Sequence, residues 1–388
     1  MNSVANNYNR KKIVFSHGKG IYLFTNEGEK YVDLAAGIAV NLLGHSNKDL
    51  INALNAQSRK LWHVSNLYEI EEQVKLASKL TNCSFADKVF FCNSGAEAVE
   101  CTIKAARRYH FSKGKPEKTE IITFKGSFHG RTLGTIAAAS NSSHLEGFGE
   151  PLKGFVSIER NDINQLKKAC NEKTAAILIE PVQGEGGINV FDREFINSLQ
   201  LIAKEMDLLI LFDEVQCGVG RTGKIFAYQW FDIKPDVMAL AKGLGGGFPI
   251  GACLMRDDIA EALIPGTHGS TFGGNPLAMA VGNCVMDIVN TVDFLSNVEK
   301  NGHFFKNQLN DLCEKYPNVI AEIRGLGLMI GIKCSVANNL LANKLYENGI
   351  LTVNAADNVI RILPPLNITL PEIKKVMSLF EKSVKEIL

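Results

Sequence analysis

Two short, wholly apolar runs between residues 207 and 247 constrain the fold more than any other feature of this chain. The first run, 208–212, is followed at once by Asp213, and the second, 237–240, is followed closely by Lys242 and several glycines. Apolar runs of this length suit central strands of a parallel sheet, whose carboxyl ends open into a ligand-binding crevice. We therefore expect an acid and an amine to reach the same edge of one sheet.

A lysine on a glycine-rich turn beside such a crevice is a candidate Schiff-base nucleophile. Pyridoxal 5'-phosphate (PLP) needs a lysine of this kind for its aldehyde and an acidic partner for its pyridinium nitrogen. Taken singly, Lys242 would be a solvated loop residue, and Asp213 would be a helix cap or a turn residue. Their common position at strand ends favours a PLP site.

The length and the charge balance exclude several classes of protein. A chain of 388 residues exceeds what one hydrophobic core usually supports, so we expect two domains. The 42 basic residues balance 41 acidic ones, which predicts neither a nucleic-acid nor a membrane-surface partner. No stretch approaches the ~18 apolar residues of a membrane span, and no apolar signal region begins the chain. The nine scattered cysteines indicate reduced thiols of a cytoplasmic protein, and we predict no metal site.

Strand-like and helix-like patterns alternate through the middle of the chain, which is typical of α/β architecture with a mainly parallel sheet. After about residue 285, helical runs enclose two strand-like runs at 319–333 and 350–363, which predicts a smaller α/β domain. The other expected strands are 88–92, 120–124, 175–179, 208–212, 237–240 and 250–255, and the expected helices between them include 97–109, 161–172 and 192–206.

The N-terminal part of the chain is also rich in strand patterns. Residues 11–35 alternate apolar and polar side chains around a turn at 26–28, which predicts a strand, a turn and a second strand. We expect this segment to pack with the smaller domain. The predicted division is 1–45 for the N-terminal segment, 46–284 for the large PLP-binding domain and 285–388 for the small C-terminal domain.

A candidate anion site follows the first strand of the large domain. Ser94, Gly95 and Ala96 lie between the strand at 88–92 and the helix at 97–109. Free backbone N–H groups and the positive end of the helix dipole bind phosphate at such a turn. An ordinary helix N-cap is the alternative.

Three further segments carry candidate ligand-binding side chains. Phe128 could lie flat on a ligand ring, and nearby Arg131 could hold a carboxylate through two hydrogen bonds. Glu185 lies among glycines, which predicts a mobile, closely approaching loop, and Arg361 ends a predicted strand. The loop 267–276 is dense in hydroxyl groups and glycines and suits a phosphate. Core or surface positions are the alternative for each of these residues.

Six motifs in this order resemble those of the class III aminotransferases, which are PLP enzymes of fold type I, the aspartate-aminotransferase fold. The resemblance extends from about residue 22 to about residue 380. The motifs are NSGAEA (93–98), FHGRT (128–132), EPVQGEGG (180–187), FDEVQ (212–216), ALAKGLGGG (239–247) and STFGGNP (270–276).

The resemblance implies roles around the cofactor ring. Lys242 would form the Schiff base with PLP and shuttle protons at the substrate carbon, and Asp213 would pair with the pyridinium nitrogen. Val215 and Phe128 would enclose the ring between them. Gln216 would form a hydrogen bond in the region of the ring hydroxyl.

The resemblance also implies how the phosphate is held. The backbone amides of Gly95 and Ala96, together with Ser94, would bind it. Thr271 would reach the phosphate in the neighbouring subunit, so the active unit would be a homodimer.

Within the class, the segments 31–45, 61–68, 266–276 and 325–332 look most like members that move the distal amino group of N-acetylornithine to 2-oxoglutarate, giving glutamate. Arg131 and Ser270 would then contact acetylornithine. Glu185 and Arg361 would form a pair that lets one site accept two unlike substrates. Members acting on succinyldiaminopimelate, ornithine or 4-aminobutyrate, a PLP aminomutase and a PLP-binding regulator without turnover are the alternatives.

The chain departs from the family pattern near the expected substrate entrance or subunit contact. Asn47 and Lys48 stand where His-Pro is usual, and Glu69 and Glu71 stand where an aromatic residue and Pro are usual. These differences leave the acyl-group preference of the enzyme open, but they do not affect the prediction of PLP chemistry.

Overall fold

Strands and helices alternate through the computed structural model, which describes residues 3–139 and 141–388, so Met1, Asn2 and Ser140 lie outside the described residues. The described strands are β1 (Phe15–Lys19), β2 (Tyr22–Thr25), β3 (Lys30–Asp33), β4 (Lys88–Cys92), β5 (Glu120–Phe124), β6 (Phe155–Ile158), β7 (Thr174–Ile179), β8 (Val182–Gln183), β9 (Asn189–Val190), β10 (Leu209–Asp213), β11 (Val237–Leu240), β12 (Gly251–Met255), β13 (Ile320–Leu326), β14 (Met329–Cys334), β15 (Ile350–Leu351), β16 (Val353–Ala355) and β17 (Val359–Ile362).

Helices cover the sheets and connect their strands. The described helices are α1 (Ala36–Ala39), α2 (Lys48–Ser58), α3 (Glu71–Asn82), α4 (Gly95–Ser112), α5 (Leu133–Ala139), α6 (Ser142–Leu145), α7 (Ile163–Ala169), α8 (Arg193–Glu205), α9 (Asp257–Ala260), α10 (Pro276–Val289), α11 (Val292–Lys315), α12 (Asn338–Glu347) and α13 (Leu370–Lys385), with short 3₁₀ turns at Ala227–Trp230 and Lys242–Gly245.

The largest sheet in the described structure has seven strands in the order β4-β12-β11-β10-β7-β5-β6. Its pairings are parallel except where β12 meets β11 and β4, which it opposes. Leu209 and Leu211 join an apolar cluster with residues of α4, whereas Ile210 and Phe212 join a second cluster with residues of α8. Because apolar side chains cover both faces, the central strands are continuous apolar runs rather than alternating ones. The prediction of a mainly parallel α/β sheet is confirmed.

The parallel pairing of β10 with β11 brings the predicted acid and lysine to one edge of this sheet. Asp213 lies opposite Ala239 in the register of the two strands. Lys242 follows the end of β11 by two residues. Both chain segments therefore leave the sheet at its carboxyl edge, as the sequence predicts.

Two four-stranded sheets lie outside the large sheet. One has the order β13-β14-β17-β16 and carries Arg361 on β17, and the other has the order β1-β2-β3-β15. In the second sheet Val32 pairs with Ile350, so backbone hydrogen bonds join the N-terminal strands to the C-terminal part of the chain. The run predicted at 319–333 is two strands separated by a turn at Gly327, whose φ is 53°. The boundaries between domains stay a prediction.

Several helices and strands were not predicted from the sequence, and α10 is the longest of them. Most of its side chains are buried, and they lie on all faces of the helix. It therefore lacks the single apolar stripe by which a surface helix is recognised. Asn275 caps it by accepting a hydrogen bond from the Ala278 N–H at 2.9 Å. Among the described residues no single helix is long and apolar enough to cross a membrane, although α10 and α11, bent by 72°, pass that test as a pair.

Candidate active site

A cavity of about 430 Å³ opens at the carboxyl edge of the large sheet. Nine of the residues that the sequence predicts for the site line it, and they come from four separate segments of the chain. They are Ser94, Gly95, Ala96, Phe128, Arg131, Asp213, Val215, Gln216 and Lys242.

Lys242 has an unusual backbone conformation and an unusual environment. Its φ is 42°, in the left-handed region that a residue with a side chain adopts at a cost of about 1–3 kcal/mol. Burial in the first place, and the charge of Arg361 in the second, lower the pKa of the Lys242 ammonium. A lowered pKa increases the share of neutral amine, which is the nucleophilic form.

Asp213 is held in place through both of its carboxylate oxygens. His129 Nδ1 lies 2.8 Å from Oδ2, and the backbone N–H of Val215 donates to Oδ1 at 3.0 Å. The His129 side chain is fully buried, and its Nε2 has no hydrogen-bond partner among the described residues. The sequence prediction did not include His129, although it directly follows Phe128.

Glu180 is a second buried acid that the sequence prediction did not place in the site. Its two oxygens accept hydrogen bonds from the backbone N–H groups of Phe128 at 2.8 Å and Gly184 at 3.1 Å. Burial, followed by the charge of nearby Asp213, raises the pKa of Glu180 to about 7. One carboxyl group thus ties the segment of Phe128 to the segment of Glu185. Its position directly after the apolar run at 175–179 was the signal available in the sequence.

The turn between β4 and α4 forms a cradle of backbone N–H groups. Ser94 is the N-cap of α4, and its Oγ accepts from the Glu97 N–H at 3.2 Å. The first N–H groups of a helix have no partner within the helix, so they can bind an anion. A Cβ at Gly95 would lie 2.7 Å from Val215 Cγ1, so the close approach of Val215 requires glycine there.

Arg361 and Glu185 form an ion pair beside the cavity. Arg361 Nη1 lies 2.9 Å from Glu185 Oε1 and also donates to Gln216 Oε1 at 3.3 Å, while Nη2 donates to the Asn354 carbonyl at 3.2 Å. Only 1% of the Arg361 side chain is exposed, against 35% for Glu185. The guanidinium is therefore buried, and the carboxylate covers it from the more open side.

The remaining candidates lie at the rim or beyond it. Arg131 is exposed, and its Cζ lies 5.5 Å from the centre of the Phe128 ring. Ser270 Oγ accepts from Asn93 Nδ2 at 3.2 Å, which anchors the loop near the α4 cradle. Thr271 is exposed and does not line the cavity of its own chain. The structure therefore brings Thr271 to the surface and not to the site.

The model of the family "Aminotransferase class-III" matches residues 3–384. This chain is a class III aminotransferase. It is similar to the acetylornithine aminotransferases of Brucella melitensis, at 52% identity over 98% of this chain and 94% of the relative, and Agrobacterium fabrum, at 53% over 97% and 95%. The family predicted from the six motifs is confirmed.

Solved structures agree with this aminotransferase over nearly the whole chain. The N-acetylornithine aminotransferase of Stenotrophomonas maltophilia superposes with a TM-score of 0.86 at 36% identity and covers 98% of this chain and 97% of its own. The ornithine aminotransferase of Toxoplasma gondii has a TM-score of 0.95 at 31% identity, with 99% and 93% covered. The fold predicted for class III enzymes is confirmed.

Class III aminotransferases depend on PLP, and the side chains of this cavity fit that cofactor. A lysine of lowered pKa suits its aldehyde, and a carboxylate fixed through both oxygens suits its ring nitrogen. A helix N-terminus capped by Ser94 suits its phosphate. The three needs of the cofactor are thus met by three different segments of this chain.

Proposed function

We propose that this aminotransferase moves the distal amino group of N2-acetyl-L-ornithine to 2-oxoglutarate. The products would be N-acetyl-L-glutamate 5-semialdehyde and L-glutamate, in a step of arginine biosynthesis. The names of the relatives with 52–53% identity support this choice within the family. The structural observation that carries it is the buried Arg361 covered by Glu185, because such a pair suits a site with two unlike substrates.

The residues of the cavity divide the chemistry among them. When bound, PLP supplies an electron sink that acidifies the carbon bearing the amino group. Lys242 is proposed to bind the cofactor covalently and then to take and return the proton at that carbon. Asp213, oriented by His129, is proposed to keep the ring nitrogen protonated, since a nearby negative charge favours the protonated form.

The binding of the cofactor is also proposed residue by residue. Phe128 and Val215 would enclose the ring, and Gln216 would form a hydrogen bond near its hydroxyl group. The phosphate would be held by Ser94 and by the first backbone amides of α4, which are those of Gly95 and Ala96.

The two substrates present different charges to the site, and Arg361 would bind the carboxylate that only glutamate places at the reacting position. Acetylornithine places its distal amine at the reacting position, where it has no carboxylate, whereas glutamate brings its α-carboxylate there. A buried guanidinium without a partner is costly, so Glu185 would pair with Arg361 whenever no substrate carboxylate does. Arg131, with Ser270, would bind the other end of either substrate.

A cytoplasmic homodimer with sites at the subunit interface is the proposed assembly. Trp62, Leu67, Tyr68 and Phe272 expose between 60% and 87% of their surface, and Phe272 adjoins the exposed Thr271. A second copy of this chain would cover these apolar side chains and would place Thr271 at the phosphate of its neighbour. The division into segments 1–45, 46–284 and 285–388 belongs to the same proposal.

A panel of amino donors tests the substrate assignment. The purified enzyme with PLP is mixed with 2-oxoglutarate and with acetylornithine, succinyldiaminopimelate, ornithine or 4-aminobutyrate, and glutamate formation is measured. We expect the highest kcat/KM with acetylornithine. Ornithine is the second candidate, because the ornithine aminotransferase of Toxoplasma gondii matches the fold with a TM-score of 0.95. A higher kcat/KM with ornithine would overturn the assignment, and no turnover with any donor would favour a regulator.

A further inference from the structure

A second cavity, of about 440 Å³, adjoins the candidate active site, and Phe128 lines both. Glu185 lines this second cavity together with Lys125, Asn141 and His144. The carboxylate that covers Arg361 therefore borders an open space that the proposed chemistry does not use.

The backbone around Glu185 is held on both sides. Its carbonyl accepts a hydrogen bond from the Ala356 N–H at 2.9 Å, and the Gly184 N–H is bound to Glu180. Gly186 packs so tightly that a Cβ there would lie 2.5 Å from the Gly126 carbonyl oxygen. Moving this loop would break these contacts. Rotation of the Glu185 side chain about its own bonds is the less costly way to uncover Arg361.

His144 lines the second cavity and carries a ring nitrogen without a hydrogen-bond partner in the described part of the chain. Its Nδ1 is buried and has no hydrogen-bond partner among the described residues. Lys125 is already paired with Glu159, and the amide oxygen of Asn141 accepts from the Ser143 N–H and hydroxyl. A carboxylate that entered this cavity would therefore find an unused hydrogen-bonding atom on His144.

The surroundings of His144 orient its ring and tune its charge. The ring stands edge-on to Phe128, with centres 5.9 Å apart and planes at 88°. Burial and then the charge of Arg131 lower the pKa of His144, whereas the charge of Glu185 raises it. A closer approach of Glu185 would raise the pKa of His144 further, because a negative charge favours the imidazolium form.

We propose that His144 is a specificity-determining residue, which receives the Glu185 carboxylate when Arg361 binds the α-carboxylate of glutamate. This inference rests on the proposed use of two substrates. In the acetylornithine half-reaction Glu185 stays on Arg361, and His144 has no part. In the glutamate half-reaction Glu185 rotates into the second cavity, and Nδ1–H of His144 donates to it. His144 thus acts on one substrate only, through Glu185.

Single-turnover kinetics of the two half-reactions test this role. His144→Phe keeps a ring beside Phe128 and removes the nitrogen, while His144→Gln keeps a hydrogen-bond donor. We expect His144→Phe to lower the efficiency with glutamate about tenfold, the value of one hydrogen bond, and to change that with acetylornithine less than twofold. His144→Gln should retain most of the glutamate reaction. Ser143→Ala, an exposed change on the same helix, is the control and should alter neither half-reaction.

An equal loss in both half-reactions would show that His144 is only structural, and no loss with glutamate would equally overturn the inference. Failure of the proposed function is separate, because it would appear as a wild-type enzyme that reacts with glutamate but not with acetylornithine. The glutamate half-reaction of His144→Phe would then still be compared with that of the wild type.

A titration of His144 by NMR supplies a measurement independent of turnover. Glutarate carries two carboxylates and no amino group, so it binds the PLP enzyme without reacting. Saturation with glutarate should raise the pKa of His144, which is assigned by comparison with His144→Gln. In Glu185→Gln the rise should be clearly smaller, because only the charge of the ligand near Arg131 remains. An equal rise in both proteins would mean that Glu185 does not move to His144.

Discussion

Lys242 differs from a surface lysine in both its backbone conformation and the pKa of its ammonium group. Its φ of 42° places it in the left-handed region, and burial lowers the pKa of its ammonium group. Neither property follows from the local sequence, because the first depends on how the turn after β11 closes and the second on the cavity wall. The lowered pKa favours a side chain that reacts as a neutral amine.

The first prediction removes this amine. Lys242→Ala should abolish transamination and should retain PLP at most non-covalently, because no other lysine lines the cavity among the described residues. Borohydride reduction followed by mass spectrometry checks the covalent bond, and the two half-reactions check turnover. Lys234→Ala, an exposed change between β10 and β11, is the control. A variant that is still labelled by borohydride and transaminates at the wild-type rate would refute the role of Lys242.

The second prediction concerns the ion pair between Glu185 and Arg361. Glu185→Gln removes the negative charge that covers the guanidinium, so Arg361 stays available to carboxylates. The efficiency with glutamate should hold or rise. The efficiency with acetylornithine should fall, because its own carboxylate is drawn into the wrong orientation. Single-turnover rates with each donor decide the matter, and a parallel fall in both would make Glu185 a structural residue.

At the scale of elements, the antiparallel strand β12 decides where the phosphate cradle lies. Since β12 opposes both of its neighbours, β4 runs parallel to β11 although the two are not adjacent. The turn after β4, with Ser94 at the start of α4, therefore opens at the same sheet edge as Asp213 and Lys242. One reversed strand places the helix N-terminus beside the acid and the lysine.

The third prediction separates two roles of Ser94, which caps α4 and is proposed to bind the phosphate. Ser94→Ala should lower the free energy of unfolding of the PLP-free protein by about 1 kcal/mol, as loss of an N-cap usually does. Thr369→Ala, at the N-cap of α13, should cost a similar amount. Only Ser94→Ala should weaken PLP binding, because α13 does not border the cavity. Denaturant unfolding and PLP titration measure both quantities, and equal losses of PLP affinity would contradict a phosphate role for Ser94.

At the scale of the whole molecule, the loop of Thr271 lies outside the cavity of its own chain. Asn66 donates hydrogen bonds to the carbonyl oxygens of Ser270 at 3.1 Å and Gly273 at 2.9 Å. These bonds join the loop to the exposed apolar segment 61–68. The loop is thus anchored in a defined position at the surface that the proposed second copy would cover.

The fourth prediction tests whether Thr271 acts across that interface. Thr271→Ala should weaken PLP retention and make it depend on protein concentration. Coexpression with Lys242→Ala should give heterodimers with partial activity, because one of their two sites would carry neither change. Thr267→Ala, in the same loop, is the control and should retain PLP as the wild type does. Verified heterodimers without recovered activity would mean that Thr271 acts within its own subunit.

Much of the site could be predicted because its signals are local. Ser94, Gly95 and Ala96 are consecutive at a strand-to-helix turn, and Asp213 and Lys242 each follow a buried apolar run. A short run of sequence carries both the residue type and the strand end that positions it. Six of the seven strands of the large sheet follow from short runs of this kind, whereas β6 was not predicted.

The sequence by itself determined the class of fold, the family and nine of the residues that line the cavity. Only the tertiary structure decided which side chains hold these residues in place. His129 is 84 residues from Asp213, and Glu180 is 52 residues from Phe128. Strand direction and side-chain partners of this kind depend on packing between segments far apart in the chain, and no local pattern records them. The reversed β12, the buried α10 and the space between Glu185 and His144 arise from that packing alone.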